Sequence, residues 1–110
     1  MEITVRDVGE VKVVQMEGSL DTQTSPEAQT QMTQLIDQGA TKIVVNFEKL
    51  DYVSSAGLRI LLTTAKQLKG NDGELRICGL NGDVHDAFKF AGFHMILTVK
   101  TTESEALEGF

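Results

Sequence analysis

The chain has 110 residues, of which 41% are hydrophobic and 24% are charged. This composition is ordinary for a globular chain, and the length suits one folded unit, so we expect a single domain over residues 1–110. Ten lysines and arginines against sixteen aspartates and glutamates give a net charge of −6 at pH 7. Nucleic-acid binding draws its affinity from clustered basic residues that neutralise phosphates. The charge balance therefore argues against nucleic acid as a partner.

Membrane and export signals are absent from the sequence pattern. No stretch approaches the roughly 20 apolar residues of a membrane-spanning helix. The first seven residues lack the basic end and apolar run of a signal peptide. The one cysteine, Cys78, cannot form an internal disulfide. We predict a cytoplasmic protein that does not insert into membranes.

The first third of the chain predicts a hairpin followed by a helix. Ile3 and Val5 alternate with polar residues, and a turn over 8–10 leads to a second strand over 11–17. Ser25-Pro26-Glu27 predicts a helix start with Ser25 as the N-cap and Pro26 in the first turn. Apolar residues at helical spacing follow it, and Gly39 predicts the end of the helix.

The rest of the chain alternates short strands with helices. Ile43-Val44-Val45 is typical of a strand that is buried on both faces. Further on, Leu75 and Ile77 indicate a strand, and residues 96–99 indicate a last short one. Helices are predicted by the apolar positions 58, 61, 62, 65 and 68, by the positions 84, 87, 88 and 91 ahead of Gly92, and by a capping box over 102–105.

The predicted order is β-β-α-β-α-β-α-β-α, which indicates an α/β fold. A largely parallel, mixed sheet of about five strands with four helices and one antiparallel edge strand fits this order. Sites in such sheets gather at the carboxyl ends of strands. Two loops lie there, residues 18–22 and residues 46–55.

The second loop ends in Ser54 and Ser55, directly before an apolar helical face. A serine in this position commonly caps the helix, which stabilises it by about 1 kcal/mol. The same position also suits an anion, because free N–H groups and the helix dipole favour negative charge there. The small neighbours Ala56 and Gly57 would let a kinase approach Ser55 closely. Position alone does not separate a cap from a phosphorylation site.

Three segments of the chain resemble the STAS domain of the bacterial anti-sigma factor antagonists. They are Gly18-Ser19-Leu20-Asp21, residues 43–47 and Val53-Ser54-Ser55-Ala56-Gly57-Leu58. The resemblance covers essentially the whole chain, including Ala91-Gly92-Phe93 before the last predicted strand. It implies the STAS fold and a regulator that acts by binding another protein.

The resemblance also implies a phosphorylation switch. In this family the unphosphorylated antagonist binds an anti-sigma factor that is also a serine kinase of the histidine-kinase-like ATPase fold, and this frees the sigma factor. The kinase phosphorylates the antagonist and thereby releases it, and a metal-dependent serine phosphatase resets it. The acceptor position falls on Ser55. The family very often has Asp immediately before the acceptor, whereas this chain has Ser54, so Ser54 is the second candidate.

The partner-binding surface that the resemblance implies combines the two loops. Asp21 matches the aspartate of the first loop. The residues that we expect to contact the partner are Asp21, Thr22, Ser54, Ser55, Ala56 and Gly57.

The sequence offers little for an enzyme, a metal or a cofactor. Ser55 has no His or Lys close to it in sequence to act as a base. His85 and His94 are not accompanied by Cys or Glu at metal-ligand spacing. Cys78 ends a predicted strand and suits a small buried position. We therefore expect no catalytic residue, no metal and no cofactor.

A second function remains open at this point. STAS domains also serve as adaptors that do not switch, for example as a subunit of an ABC lipid transporter or within a stress-signalling scaffold. The same surface would then bind the transporter or the scaffold, and phosphorylation would be optional. The sequence does not separate this alternative from the antagonist.

Overall fold

Strands and helices alternate along the chain in the computed structural model, which describes residues 1–90, 92 and 97–110, with the backbone alone at position 90. The strands are β1 (Glu2–Val8), β2 (Val11–Leu20), β3 (Lys42–Asn46), β4 (Leu50–Val53), β5 (Glu74–Cys78) and β6 (Thr98–Lys100). The helices are α1 (Ser25–Asp37), α2 (Ser55–Gly70), α3 (Gly82–Phe90) and α4 (Glu103–Leu107).

The sheet is mixed and mostly parallel. Its order is β1-β2-β3-β5-β6, with β1 antiparallel to β2 and the other neighbours parallel. The predicted α/β class, the antiparallel edge strand and the four helices are confirmed. The predicted last strand began at Ile96, which lies outside the described residues, as do Ala91, Phe93 and His94; the described strand β6 begins at Thr98.

The structure has one strand more than the sequence pattern indicated. β4 lies within the stretch 46–55, which was expected to be a loop, and it pairs in parallel with the end of β2. β2 itself continues to Leu20, past its predicted end, with a register shift between Gly18 and Ser19. β3 covers β2 only as far as Gln15, so the extended end of β2 has a free edge that β4 fills. Only long-range pairing defines this strand, because four residues are too few for a periodic signal.

The larger core lies between the sheet and helices α1, α2 and α3. Ile43 and Val45 of β3 belong to this core, whereas Val44 between them faces the other side of the sheet. The prediction that β3 is buried on both faces is therefore confirmed. α2 buries Gly57, Ile60, Leu61, Thr64 and Leu68, a face turned slightly away from the predicted one.

The opposite face of the sheet is covered by α4. Its Ala106 contributes to a small cluster with Val13, Val44 and Cys78. The predicted capping position is confirmed, since the hydroxyl of Thr102 accepts a hydrogen bond from the N–H of Glu105 at 3.2 Å. These contacts hold the last helix on the side of the sheet away from α1, α2 and α3.

The start of α1 differs from the prediction. Its N-cap is Thr24, and Ser25 is the first residue of the helix, with Pro26 in the first turn as expected. The hydroxyl of Ser25 donates to the carbonyl oxygen of Asp21 at 2.5 Å instead of capping the helix. The prediction of a Ser25 cap was wrong because the side chains of Asp21 and Thr24 close the turn before α1.

Candidate functional site

The two loops singled out in the sequence meet at one edge of the sheet. Leu20, the last residue of β2, pairs with Val53, the last residue of β4. The N–H of Ser54 donates to the carbonyl oxygen of Leu20 at 2.8 Å. Because β2 and β4 are parallel neighbours, their following loops leave the sheet side by side. The structure thus brings Asp21 and Thr22 next to the start of α2.

Gly57 lets α2 begin directly on these two strands. It is buried, and a Cβ atom built on it would lie 2.8 Å from Cγ of Leu20 and 2.9 Å from Cγ2 of Val53. Contacts that short do not occur between real side chains. A residue without a side chain is therefore required here for packing, and the contact fixes the position of the first turn of α2.

Ser54 has a structural task at this helix start. It is the N-cap of α2, with extended backbone, and its Oγ accepts a hydrogen bond from the N–H of Gly57 at 3.3 Å. The side chain is partly buried. Its hydroxyl oxygen thus satisfies one of the backbone donors that every helix leaves unpaired at its start.

Ser55 occupies a different environment although it is the next residue. It is the first residue of α2 and is exposed. Its hydroxyl makes no hydrogen bond to any residue that the structure describes. Ala56 beside it is partly buried and carries only a methyl group. The hydroxyl of Ser55 is therefore open to a second protein from outside.

Asp21 shapes the neighbouring loop. Its Oδ1 accepts hydrogen bonds from the N–H groups of Gln23 at 2.9 Å and Thr24 at 3.0 Å. In return, Oγ1 of Thr24 accepts from the N–H of Asp21 at 2.9 Å and donates to the carbonyl oxygen of Ser19 at 2.8 Å. This reciprocal pairing is that of a capping box, and it closes the turn that leads into α1.

The same hydrogen bonds set the charge state of Asp21. The bond from the N–H of Thr24 has the largest effect and lowers the pKa of the Asp21 carboxyl below its ordinary value; burial raises the pKa by less than this, and the N–H of Gln23 lowers it further. Donors aimed at a carboxylate favour its charged form. Asp21 therefore supplies a fixed negative charge beside the start of α2.

A groove between α1 and α2 opens at this edge of the sheet and has a volume of about 380 Å³. Thr22 and Ala56, both expected at the partner surface, line its end nearest the two loops. The described residues that line the groove are Thr22, Ser25, Pro26 and Gln29 on one side and Ala56, Arg59, Ile60 and Thr63 on the other.

The other residues that could act as a nucleophile or a metal ligand do not form a reactive site or a metal site in the described part of the chain. Burial, with the nearby Glu103 and Glu48 carboxylates contributing, raises the pKa of the Cys78 thiol to about 12, which keeps it protonated and unreactive. Within residues 1–90, 92 and 97–110, no group of three or more His, Cys, Asp or Glu side chains could hold a metal ion. His85 belongs to α3 and lines a separate depression with Leu80 and Val99.

None of the helices in the described part of the chain is long and apolar enough to cross a membrane.

Comparison with known proteins identifies the fold and the family. The sequence profile of the STAS domain matches residues 2–106. BtrV of Bordetella bronchiseptica, to which the role of anti-sigma factor antagonist is provisionally assigned, is 30% identical over 110 residues, which is 100% of this chain and 95% of BtrV. The anti-sigma-B factor antagonist of Staphylococcus aureus is 34% identical over 86 residues, which is 78% of this chain and 80% of that protein.

A solved structure agrees with these relatives. The phosphorylated form of the Bacillus cell fate determinant SpoIIAA superposes with a TM-score of 0.75 at 26% identity, covering 97% of each chain. The chain belongs to the STAS domain family, within the group of anti-sigma factor antagonists. Proteins of this group are regulators without catalytic activity, so the expectation that the chain is not an enzyme is confirmed by its family.

Two residues at this edge were missed in the sequence. Thr24 completes the turn with Asp21, and the Asp-x-x-Thr spacing of a capping arrangement could have indicated it. Arg59 lines the groove one helical turn after Ser55. The sequence signal for Arg59 is its spacing of four residues from Ser55, which places the two side chains next to each other on the helix.

Proposed function

We propose that the protein is an anti-sigma factor antagonist controlled by phosphorylation of Ser55. The unphosphorylated form binds an anti-sigma factor that is also a serine kinase of the histidine-kinase-like ATPase fold, and so frees a sigma factor. Phosphorylation of Ser55 ends this binding, and a metal-dependent serine phosphatase restores it. The family supports this function, and so do the two named relatives, since the names of both contain the role of anti-sigma factor antagonist.

The observation that carries the proposal is the contrast between two adjacent serines. Ser55 is exposed at the first residue of α2, and its hydroxyl has no partner in the described part of the chain. Ser54 is partly buried and caps the helix through the N–H of Gly57. A kinase must reach the hydroxyl that it modifies, and modification of Ser54 would disturb a helix cap. Ser55 is therefore the acceptor that we propose, ahead of Ser54.

Phosphorylation at this place would act through charge. A phosphoserine adds roughly −1.5 to −2 charges at pH 7. Desolvating such a group in an interface is costly, and every 1.4 kcal/mol of lost binding free energy weakens affinity about tenfold. The fixed negative charge of Asp21 nearby disfavours the added charge further. No rearrangement of the fold is needed for the switch.

The partner surface that we propose consists of Asp21, Thr22, Ser54, Ser55, Ala56 and Gly57. Asp21 and Gly57 contribute by shape, since one closes the first loop and the other lets α2 start on the sheet. Thr22, Ser55 and Ala56 would contact the partner directly. The surface is built on two paired strands and a capped helix, which favours a preformed interface.

The test uses three variants and the purified anti-sigma factor kinase of the same cell. Ser55→Ala is expected to bind like the wild type, and Ser55→Asp is expected to bind at least about tenfold more weakly, as measured by calorimetry. Ser104→Asp is the matched control, because Ser104 is likewise exposed in the first turn of a helix, α4, on the other face of the sheet. It should bind normally.

Mass spectrometry of the protein from its native cell completes the test. We expect the phosphate on Ser55. Equal affinity of Ser55→Asp and wild type, together with an unphosphorylated Ser55 during active kinase turnover, would reject the switch and leave a constitutive adaptor as the function.

A further inference from the structure

We propose that Arg59 reads the phosphorylation state of Ser55. While Ser55 is unmodified, Arg59 binds a carboxylate of the anti-sigma factor in the groove between α1 and α2. Once Ser55 is phosphorylated, Arg59 binds the phosphate instead, and the partner loses this contact. This inference deepens the proposed function and rests on it.

The first support is the position of Arg59 on α2. It lies four residues after Ser55, and both residues are exposed. Side chains at this spacing are neighbours on a helix, with Cβ atoms about 5–6 Å apart. A negative group that precedes a positive one by four residues is also the favourable order for pairing. A phosphate on Ser55 therefore falls within reach of the Arg59 guanidinium.

The second support is that the guanidinium of Arg59 has no ion-pair partner among the residues that the structure describes. The other two arginines of the chain are engaged: Arg6 binds Glu103, and Nε of Arg76 donates to Glu74 at 2.7 Å. Arg59 forms no ion pair with any residue in the described ranges. Its guanidinium, with five donors in a fixed plane, is thus available to an anion from outside.

The third support is the composition of the groove. Of the eight described residues that line it, Arg59 alone is charged. The chain as a whole carries a net charge of −6. A single cation in an otherwise uncharged groove of an acidic protein selects a partner segment that carries a carboxylate. Arginine forms paired hydrogen bonds with carboxylates and with phosphates, so the same residue suits both states.

Competition follows from these three observations. The phosphate carries roughly −1.5 to −2 charges and three acceptor oxygens, and it is attached to the same helix. An attached group competes at a high effective concentration against a partner that must bind from solution. Phosphorylation would therefore add a negative charge to the interface and also remove its cation.

The first experiment needs no partner. Phosphoserine is incorporated at position 55, and the phosphate is titrated by ³¹P NMR. If Arg59 pairs with the phosphate, Arg59→Gln should move the titration midpoint upward by roughly 0.3 pH. The control is Lys66→Gln, which removes an exposed cation about three turns after Ser55 on α2 and should leave the midpoint unchanged. Identical midpoints with Arg59 and with Gln at this position would overturn the pairing.

The second experiment measures binding to the purified anti-sigma factor. With Ser55 unmodified, Arg59→Gln should weaken binding about tenfold, Arg59→Lys less, and Lys66→Gln not at all. With Ser55 phosphorylated, Arg59→Gln should add little further loss. If Ser55→Asp weakens binding but Arg59→Gln does not, the inference fails and the proposed function stands. If Ser55→Asp leaves binding intact and the kinase leaves Ser55 unphosphorylated, the proposed function fails as well.

Discussion

Helices α1 and α2 begin side by side at the same edge of the sheet, yet their first turns are built differently. Before α1, the Asp21 carboxylate and the Thr24 hydroxyl bond each other's N–H groups, and the Ser25 hydroxyl donates to the Asp21 carbonyl at 2.5 Å. Before α2, Ser54 supplies one cap bond, whereas the Ser55 hydroxyl has no partner among the described residues. Polar side chains at the first helix hold the loop, and the second helix keeps one hydroxyl accessible.

The accessible serine is nevertheless held rigidly. Because Gly57 has no side chain, the first turn of α2 packs directly against Leu20 and Val53, which are the paired ends of two strands. Those strand ends also carry the Asp21 loop. Ser55 therefore stands at a fixed position relative to that loop. An accessible hydroxyl on a preformed backbone suits a recognition surface, because binding then costs little conformational entropy.

The largest loss of stability is expected from a substitution of Gly57, which tests the packing of α2 against the two strand ends. Gly57→Ala places a Cβ atom within 2.9 Å of Leu20 and Val53, so the helix start must shift away from the sheet. Overpacking of this kind costs about 1–3 kcal/mol of the free energy of unfolding. Urea denaturation of the variant and the wild type measures the loss.

Gly70→Ala is the matched control for this prediction. Gly70 is the last residue of the same helix, and a Cβ atom there meets nothing within 4 Å. The change should be neutral or stabilising by up to about 1 kcal/mol. Equal effects of the two substitutions would show that close packing at Gly57 does not define the start of α2.

A smaller effect should separate Ser54 from Ser55. Ser54→Ala removes the oxygen that accepts from the Gly57 N–H, and loss of a helix cap costs about 1 kcal/mol. Ser55→Ala removes an exposed hydroxyl without a described partner and should change stability by less than about 0.5 kcal/mol. Thermal and urea unfolding of both variants decide the order. The reverse order would contradict the structural role assigned to Ser54.

The smallest effect concerns Asp21 and pH. Its folded-state pKa lies below the ordinary 3.8, so its ionised form stabilises the fold above that value and the contribution is lost as pH falls through the lower folded pKa. Asp21→Asn keeps an oxygen acceptor but cannot titrate. The unfolding midpoint of the wild type should therefore drop more than that of Asp21→Asn on acidification from about pH 5. Parallel pH profiles would mean that the carboxylate does not contribute through its charge.

Much of the fold was predictable from local patterns. The β-branched run of β3 predicts a strand buried on both faces, and Val44 does face away from Ile43 and Val45. The Thr102 cap was visible as a four-residue motif. Signals of this kind act between residues close in sequence, so they survive without knowledge of the rest of the chain.

The parts that escaped prediction depend on distant residues. β4 is a strand because the end of β2 leaves an edge to fill, not because its four residues alternate. Ser25 looks like a cap in sequence, yet Asp21 and Thr24 have already closed the turn. The packing role of Gly57 is set by Leu20, which lies 37 positions earlier in the chain.

The sequence by itself determined the alternation of strands and helices and the pair of serines at the start of α2, because each rests on neighbouring residues. It also carried the STAS resemblance, through three short segments in order along the chain. Only the tertiary structure decided how the two serines differ, that Asp21 acts through its own loop, and that Arg59 is the one charged residue among the described residues that line the groove. The physical reason is that accessibility and pairing depend on what the folded chain brings near a side chain. Residue type and spacing do not contain that information.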